Sequence, residues 1–191
     1  MFWNRRTMLT TGLGSFGSLL LGSEALARRS SAAPASASGP LIRDNRVALV
    51  IGTQRYQYHD QIGTAYNDAR AMGRALTEQG GFSLVGDRVH VDRRQAELRN
   101  LIGAFLDAAE HADLAVVYLA GHCERRPSDQ QLFYLAMSAR GDRATALHNE
   151  ALGLHDDLLT PAADVLARNP RLRLVTMVDN YVAPTLSLIH I

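Results

Sequence analysis

Two apolar segments of this sequence end directly in side chains that can do chemistry. Leu114–Gly121 is followed by His122, and residues 172–178 are followed by Asp179, with Tyr181 two positions further on. Apolar runs that are rich in β-branched residues and bounded by polar ones are typical of strands buried on both faces of a parallel sheet. Ligands bind beyond the carboxyl ends of such strands. We therefore expect His122, Asp179 and Tyr181 at one edge of a sheet, where the two strand ends can face each other.

An imidazole at a strand end can take up and release protons near neutral pH. The alternative interpretation of His122 is a hydrogen-bonded histidine that serves only the fold. The chain has 7 histidines but no paired spacing such as His-x-x-x-His, so the sequence predicts no metal site. It also contains no Gly-x-Ser-x-Gly segment of the kind that carries the nucleophile in serine hydrolases.

Composition narrows the classes of partner and fold. The 20 basic residues are all arginine. Their charge is nearly balanced by 19 acidic residues and they form no basic block, so no nucleic-acid partner is expected. The 191 residues, 47% of them hydrophobic, suffice for one globular domain with a core. Cys123 is the only cysteine, which excludes a disulfide within the chain.

The amino terminus has the features of an export signal. Arg5 and Arg6 precede a weakly apolar stretch, and Ala25-Leu26-Ala27 has the small-x-small form of a cleavage site, so residues 1–27 are predicted to be a signal peptide. This segment resembles a bacterial twin-arginine signal, which implies a periplasmic or secreted protein. An uncleaved membrane anchor is the alternative, but the apolar part is shorter than the ~20 residues of a spanning helix. We expect no integral membrane segment after signal removal.

Residues 28–42 are rich in Ser, Ala and Pro and are predicted to be a flexible linker. Beyond it, strand and helix patterns alternate, which is the order of a parallel sheet covered by helices. Asp92 is predicted to cap a helix, with Gln95 at the capping-box position. The predicted strands are 46–52, 114–121, 131–135 and 172–178, with one or two short strands in 82–91, and the predicted helices are 67–79, the one that begins after Asp92, and 160–168.

Four segments together resemble the caspase and metacaspase clan of cysteine peptidases, in its bacterial branch. They are Arg46–Gly52, residues 65–69 (Ala-Tyr-Asn-Asp-Ala), residues 115–122 (Ala-Val-Val-Tyr-Leu-Ala-Gly-His) and residues 174–179 (Leu-Val-Thr-Met-Val-Asp). The resemblance implies a caspase-like α/β/α sandwich with a mainly parallel sheet, here assigned to residues 43–184 and expected to be truncated at its carboxyl end.

The resemblance also implies roles for individual residues. His122 matches the catalytic histidine, and Gly121 and Cys123 fall in the region that shapes the oxyanion site. Asp68 and Asp179 match the acids of the first specificity pocket in metacaspases, which favours Arg or Lys side chains of a peptide or protein substrate. The alternative interpretation of Asp68 is an acid in the first turn of a helix, and it is a serious competitor.

Metacaspases often need calcium, so calcium enters by family analogy only. Asp156 and Asp157 lack the regular spacing of a calcium loop. No cofactor and no metal site are therefore predicted.

The nucleophile position departs from the family pattern. The family has Asp-x-Cys at the end of the last strand, and this chain has Asp179-Asn180-Tyr181. A phenol with a pKa near ~10 provides little nucleophile at neutral pH, so Tyr181 should block the usual hydrolysis. Cys123 cannot easily replace the thiol, because neighbouring residues of an extended chain point to opposite sides, and an inert buried thiol is expected.

Two functions remain open on this basis. One is a cysteine-type endopeptidase that cuts after basic residues with His122 as general base. The other is a pseudoprotease that binds peptides or proteins without cutting, and Tyr181 favours it. Residues 185–191 resemble translated adaptor sequence and are interpreted as a non-native tail, so His190 is not counted as a ligand.

Overall fold

The computed structural model describes residues 45–140, 147–180 and 185–190, the last of these as backbone only. All of them belong to one compact unit, Ile42–Ile191. The predicted signal peptide 1–27, the predicted linker 28–42 and Tyr181 lie outside the described residues. Whether residues 185–191 are a foreign tail stays a prediction.

Strands and helices alternate along the chain, as the hydrophobic pattern predicts. In chain order the described residues form β1 (Arg46–Gly52), α1 (Ala65–Arg74), β2 (Ser83–Leu84), β3 (His90–Val91), α2 (Gln95–Ala109), β4 (Leu114–Gly121), β5 (Cys123–Arg125), β6 (Leu132–Leu135), α3 (Leu147–Glu150), β7 (Ala151–Gly153), α4 (Thr160–Arg168), β8 (Arg173–Asn180) and β9 (Thr185–His190). A π-helical turn follows α1, and another precedes α4. In these ranges no helix has the length and apolar character needed to cross a membrane.

A mainly parallel sheet forms the centre of the fold. Its order is β2-β1-β4-β8-β9, with β3 also paired to β1, and only β9 runs antiparallel to its neighbour. Strand β4 pairs with β1 on one side and with β8 on the other over nearly its whole length. The register sets Ala120 opposite Asp179 and Gly121 opposite Asn180. The predicted caspase-like α/β architecture with a mainly parallel sheet is therefore confirmed.

Helices cover both faces of this sheet, because alternate strand residues point to opposite sides. On one face Leu49 and Val117 pack with residues of α2 and α4, including Phe105 and Val165. On the other face the buried residues of β1 and β4 pack with α1; they are Val50, Tyr118, Ala120, Ala65 and Ala69. Each fully buried large side chain contributes roughly 1.5–3 kcal/mol by leaving water, so these two layers hold the strands in register.

A second, smaller sheet begins just after the end of β4. Strands β5, β6 and β7 pair antiparallel, with Cys123 opposite Tyr134. The backbone N–H of Leu135 donates to the carbonyl of His122 at 2.9 Å. The strand β5 was not predicted, since residues 124–130 have the composition of a polar loop.

The predicted cap of α2 was wrong. The helix begins at Gln95, and the carboxylate of Glu97 accepts the N–H of Arg94 at 3.0 Å. Asp92 has a positive φ of 51°, and its carboxylate accepts the N–H groups of Gln54 and Arg55 at 2.8 and 2.9 Å. Asp92 does not cap α2 because its carboxylate binds the loop after β1 instead, and this contact holds the loop in place.

Gly52 lets α1 lie directly on the end of β1. A Cβ at this position would lie 2.8 Å from the Cβ of Ala69 and 2.9 Å from the carbonyl oxygen of Ala65. Because one of these atoms belongs to the helix backbone, a side chain here must push α1 away from the sheet.

We predict that Gly52→Ala lowers the free energy of unfolding by about 1–3 kcal/mol through this overpacking. Urea denaturation monitored by circular dichroism measures the change. Gly103→Ala is the matched control: Gly103 is exposed in α2, and a Cβ there meets no heavy atom within 4 Å beyond its chain neighbours and its own helix backbone. The control should gain roughly 0.5–1 kcal/mol from reduced backbone entropy. Equal stability of Gly52→Ala and the wild type would contradict the close packing of α1.

Candidate active site

The loop between β1 and α1 forms one wall of the site and is fastened at several points. Two of its N–H groups donate to the carboxylate of Asp92, as described above. In addition, the N–H of Gln57 donates to the carbonyl of Met137 at 2.9 Å, and the N–H of Ile62 donates to the carbonyl of Gln54 at 3.1 Å. Tyr56 in this loop is only 4% exposed. The loop can therefore hold its side chains in fixed positions against the end of β4.

His122 is held by this loop through its backbone and its ring. Its N–H donates to the hydroxyl oxygen of Tyr56 at 2.8 Å, and its Nε2 lies 3.0 Å from the carbonyl oxygen of Asp60. A carbonyl only accepts hydrogen bonds, so Nε2 carries the proton. In the neutral ring this leaves Nδ1 with a lone pair, and Nδ1 is buried without a hydrogen-bond partner in the described part of the chain. The histidine is therefore oriented to accept a proton at Nδ1.

Two further aromatic rings of the loop surround His122. The ring centroid of Tyr56 lies 4.7 Å from that of His122, and the ring of His59 lies 6.2 Å away. Nε2 of His59 is also buried and without a described partner. Tyr56, His59 and Asp60 were missed at the level of sequence, because the loop has no periodic pattern that would assign them to a site.

Asp179 lies on the α1 face of the sheet, beside Tyr118. The Tyr118 hydroxyl donates to Oδ2 of Asp179 at 3.1 Å, and Tyr118 itself packs with Ala65 and Ala69 of α1. Asp68 is half-buried in the first turn of the same helix. Both predicted pocket acids therefore belong to the α1 side of the sheet, near its carboxyl edge. Tyr118 was not predicted as a site residue, although it is the single aromatic residue of an otherwise small and aliphatic strand.

Gly121 provides the space into which Tyr56 reaches. A Cβ at this position would lie 2.6 Å from the Tyr56 hydroxyl oxygen and 3.0 Å from the ring of Tyr134. A glycine at position 121 is therefore required for the hydroxyl of Tyr56 to approach the N–H of His122.

Cys123 points away from His122 into the core. It packs with residues of the α2 face, is 4% exposed, and is a free thiol. Burial raises the pKa of this thiol to about 12. The expected burial of the thiol is confirmed, since alternation along the chain turns it to the face opposite His122, and its inertness stays a prediction.

The N–H of Cys123 already has an acceptor. It donates to Oδ1 of Asn180 at 3.2 Å, and Asn180 lies opposite Gly121 in the sheet. Asn180 is one residue before Tyr181, and Gly121 is one residue before His122. The close approach of Tyr181 to His122 stays a prediction, because Tyr181 lies outside the described residues.

The acids named for calcium are engaged in contacts within the protein. Asp157 accepts from Nε of Arg99 at 3.1 Å and from the N–H of Gly153 at 2.8 Å, and Asp156 lies 2.9 Å from Nδ1 of His155. No cluster of three or more His, Cys, Asp or Glu side chains that could hold a metal ion occurs among residues 45–140 and 147–180. These residues do not fit a calcium site, and no chemical step proposed below involves a metal.

A family model described as a caspase domain matches residues 45–152, which is more than half of the chain. The matched stretch contains Asp68, His122 and Cys123 and ends before Asp179. No curated protein matches the chain.

The buried thiol gives a direct prediction. With a pKa of about 12, Cys123 is thiolate in only about one molecule in ten thousand at pH 8, and it is also covered, so alkylation of the folded chain should be at least a hundredfold slower than that of an unfolded thiol. Iodoacetamide labelling followed by mass spectrometry measures this. The same chain in denaturant is the control and should react at the rate of a free cysteine. Rapid labelling of the folded protein would contradict the buried position.

Proposed function

This chain belongs to the caspase-domain family, and we propose that it is a member that binds peptides or proteins while its hydrolytic chemistry is interrupted. In this peptidase family a thiolate attacks the peptide carbonyl, a histidine transfers protons, and backbone N–H groups bind the oxyanion. The chain is proposed to keep the histidine and the substrate pocket and to lack the nucleophile.

The histidine retains the geometry of a general base. Asp60 holds the proton on Nε2 of His122, so Nδ1 is the nitrogen available to a reacting group. This arrangement supports the assignment of His122 as the catalytic histidine over a purely structural role, because a structural histidine at this depth would be expected to use both ring nitrogens.

The contact between Asn180 and Cys123 is the observation that carries the proposal of an interrupted site. By resemblance, the residue after the histidine supplies part of the oxyanion site, and here its N–H is bound to the Asn180 side chain at 3.2 Å. With Tyr181 in place of the thiol, the chain would lack the nucleophile and have one oxyanion donor occupied. The two changes are adjacent in sequence and act on the same step.

The pocket acids support a preference for basic side chains. Tyr118 donates to one oxygen of Asp179 and so fixes the carboxylate while leaving its negative charge available to an Arg or Lys of the bound peptide. Asp68 is proposed as the second acid. An exported, periplasmic or secreted location is proposed from Arg5, Arg6 and the rest of the amino-terminal segment alone.

The binding proposal predicts discrimination between charged and neutral peptides. A fluorescent peptide containing Arg should bind to the whole chain at least about tenfold more tightly than its Gln analogue, and Asp179→Asn should remove this difference, because a charge-assisted bond is worth about 1.5–3 kcal/mol. Fluorescence anisotropy measures the affinities. Asp107→Asn, an exposed acid of α2 on the other side of the sheet, is the control and should bind as the wild type does. Equal affinity for the two peptides would refute the basic pocket.

The second candidate, a cysteine-type endopeptidase that cuts after Arg or Lys, is favoured by the orientation of His122. A fluorogenic Arg peptide separates the two candidates. We expect no turnover by this chain above the rate without protein. Turnover that is abolished by thiol alkylation would establish the endopeptidase and exclude the interrupted site.

A further inference from the structure

Three hydroxyl groups lie together at the end of β4. The N–H of His122 donates to the Tyr56 hydroxyl at 2.8 Å, and the Thr53 side chain interacts with the same hydroxyl and lowers its pKa slightly against the effect of burial. The Tyr134 hydroxyl lies 2.8 Å from Oγ1 of Thr53 and 3.0 Å from the carbonyl oxygen of Ala120. Tyr56 therefore contacts β4 at its end, next to His122, and Tyr134 contacts it at Ala120.

The direction of each bond follows from the groups at its two ends. The Ala120 carbonyl only accepts, so the Tyr134 hydroxyl donates to it. The Tyr56 hydroxyl accepts the N–H of His122. Burial raises the pKa of Tyr56 and of Tyr134, so both hydroxyls remain protonated and able to donate.

Tyr56 is fixed at both of its ends. Its hydroxyl fills the space above Gly121, where a Cβ would lie 2.6 Å from the oxygen. Its ring lies against the imidazole of His122, with centroids 4.7 Å apart and planes inclined by 44°. A displacement of Tyr56 would therefore move both the backbone and the ring of His122.

We propose that Tyr56 is the positioning residue of His122, holding the imidazole where the Asp60 carbonyl binds Nε2–H. The hydroxyl fixes the backbone from which the ring projects, and the aromatic face restricts the ring. This assignment rests on the proposed function, since it matters only if His122 is the catalytic histidine.

The test uses the whole chain and needs no turnover. Long-range ¹H–¹⁵N correlation spectra report which ring nitrogen carries the proton, and His122→Gln identifies the His122 signals by their loss. The wild type should show the Nε2–H tautomer at neutral pH. In Tyr56→Phe we expect a mixed tautomer pattern and hydrogen exchange at the His122 amide that is about fivefold to tenfold faster, the loss expected for one buried hydrogen bond.

Tyr134→Phe is the matched control. It also loses one buried hydroxyl, with two partners, but Tyr134 is not hydrogen-bonded to His122. It should lose a comparable free energy of unfolding and keep the Nε2–H pattern. If Tyr56→Phe does not fold, Thr53→Val replaces it: this variant leaves Tyr56 in place, removes the hydroxyl that interacts with the Tyr56 oxygen, and should raise exchange at the His122 amide in the same direction.

The outcomes separate this inference from the proposed function. An unchanged His122 tautomer and unchanged amide exchange in a folded Tyr56→Phe protein would overturn the positioning role, whatever the peptide affinities. Loss of peptide discrimination in the wild type, with the spectral change in Tyr56→Phe intact, would overturn the binding function and leave the positioning of His122 in place.

Discussion

The parallel register between β4 and β8 is the constraint on which the site depends. It sets Ala120 opposite Asp179 and Gly121 opposite Asn180, so the two strands reach the edge of the sheet at the same level. Asp179 thereby points to the face on which Tyr118 can bind it. A slip of one residue would turn Asp179 to the other face of the sheet, because side chains alternate along a strand.

The hydrogen bonds that stabilise this edge also determine what it can do. Where a sheet ends, backbone N–H and carbonyl groups lose their ladder partners and must find others or remain unsatisfied at a cost of about 1–3 kcal/mol each. Tyr56 satisfies the N–H of His122, and Asn180 satisfies the N–H of Cys123. The first contact keeps the histidine oriented. The second occupies a donor that we assign, by resemblance, to the oxyanion site, so the same need for satisfied backbone groups underlies both the proposed base and the proposed loss of turnover.

Strand runs and helical periods predicted the architecture well, because continuous aliphatic segments and helix-period patterns report burial directly. The same alternation predicted that Cys123 would be buried on the side away from His122. The residues that hold His122 could not be predicted, since Tyr56 and Asp60 lie in a loop whose conformation is set by contacts distant in sequence. The cap assigned to Asp92 failed for the same reason: its local pattern is outweighed by bonds to a loop far from it in the chain.

Restoring a thiol at position 181 tests most directly whether this is a caspase-type site interrupted at its nucleophile. Tyr181→Cys is predicted to hydrolyse a fluorogenic Arg peptide in an alkylation-sensitive reaction. His122→Ala in the same background should abolish that turnover, because a lone thiol with a pKa near ~8.5 is mostly protonated and has no proton donor for the leaving amine. A folded Tyr181→Cys protein that binds the Arg peptide and shows no turnover would contradict the placement of the nucleophile beside His122.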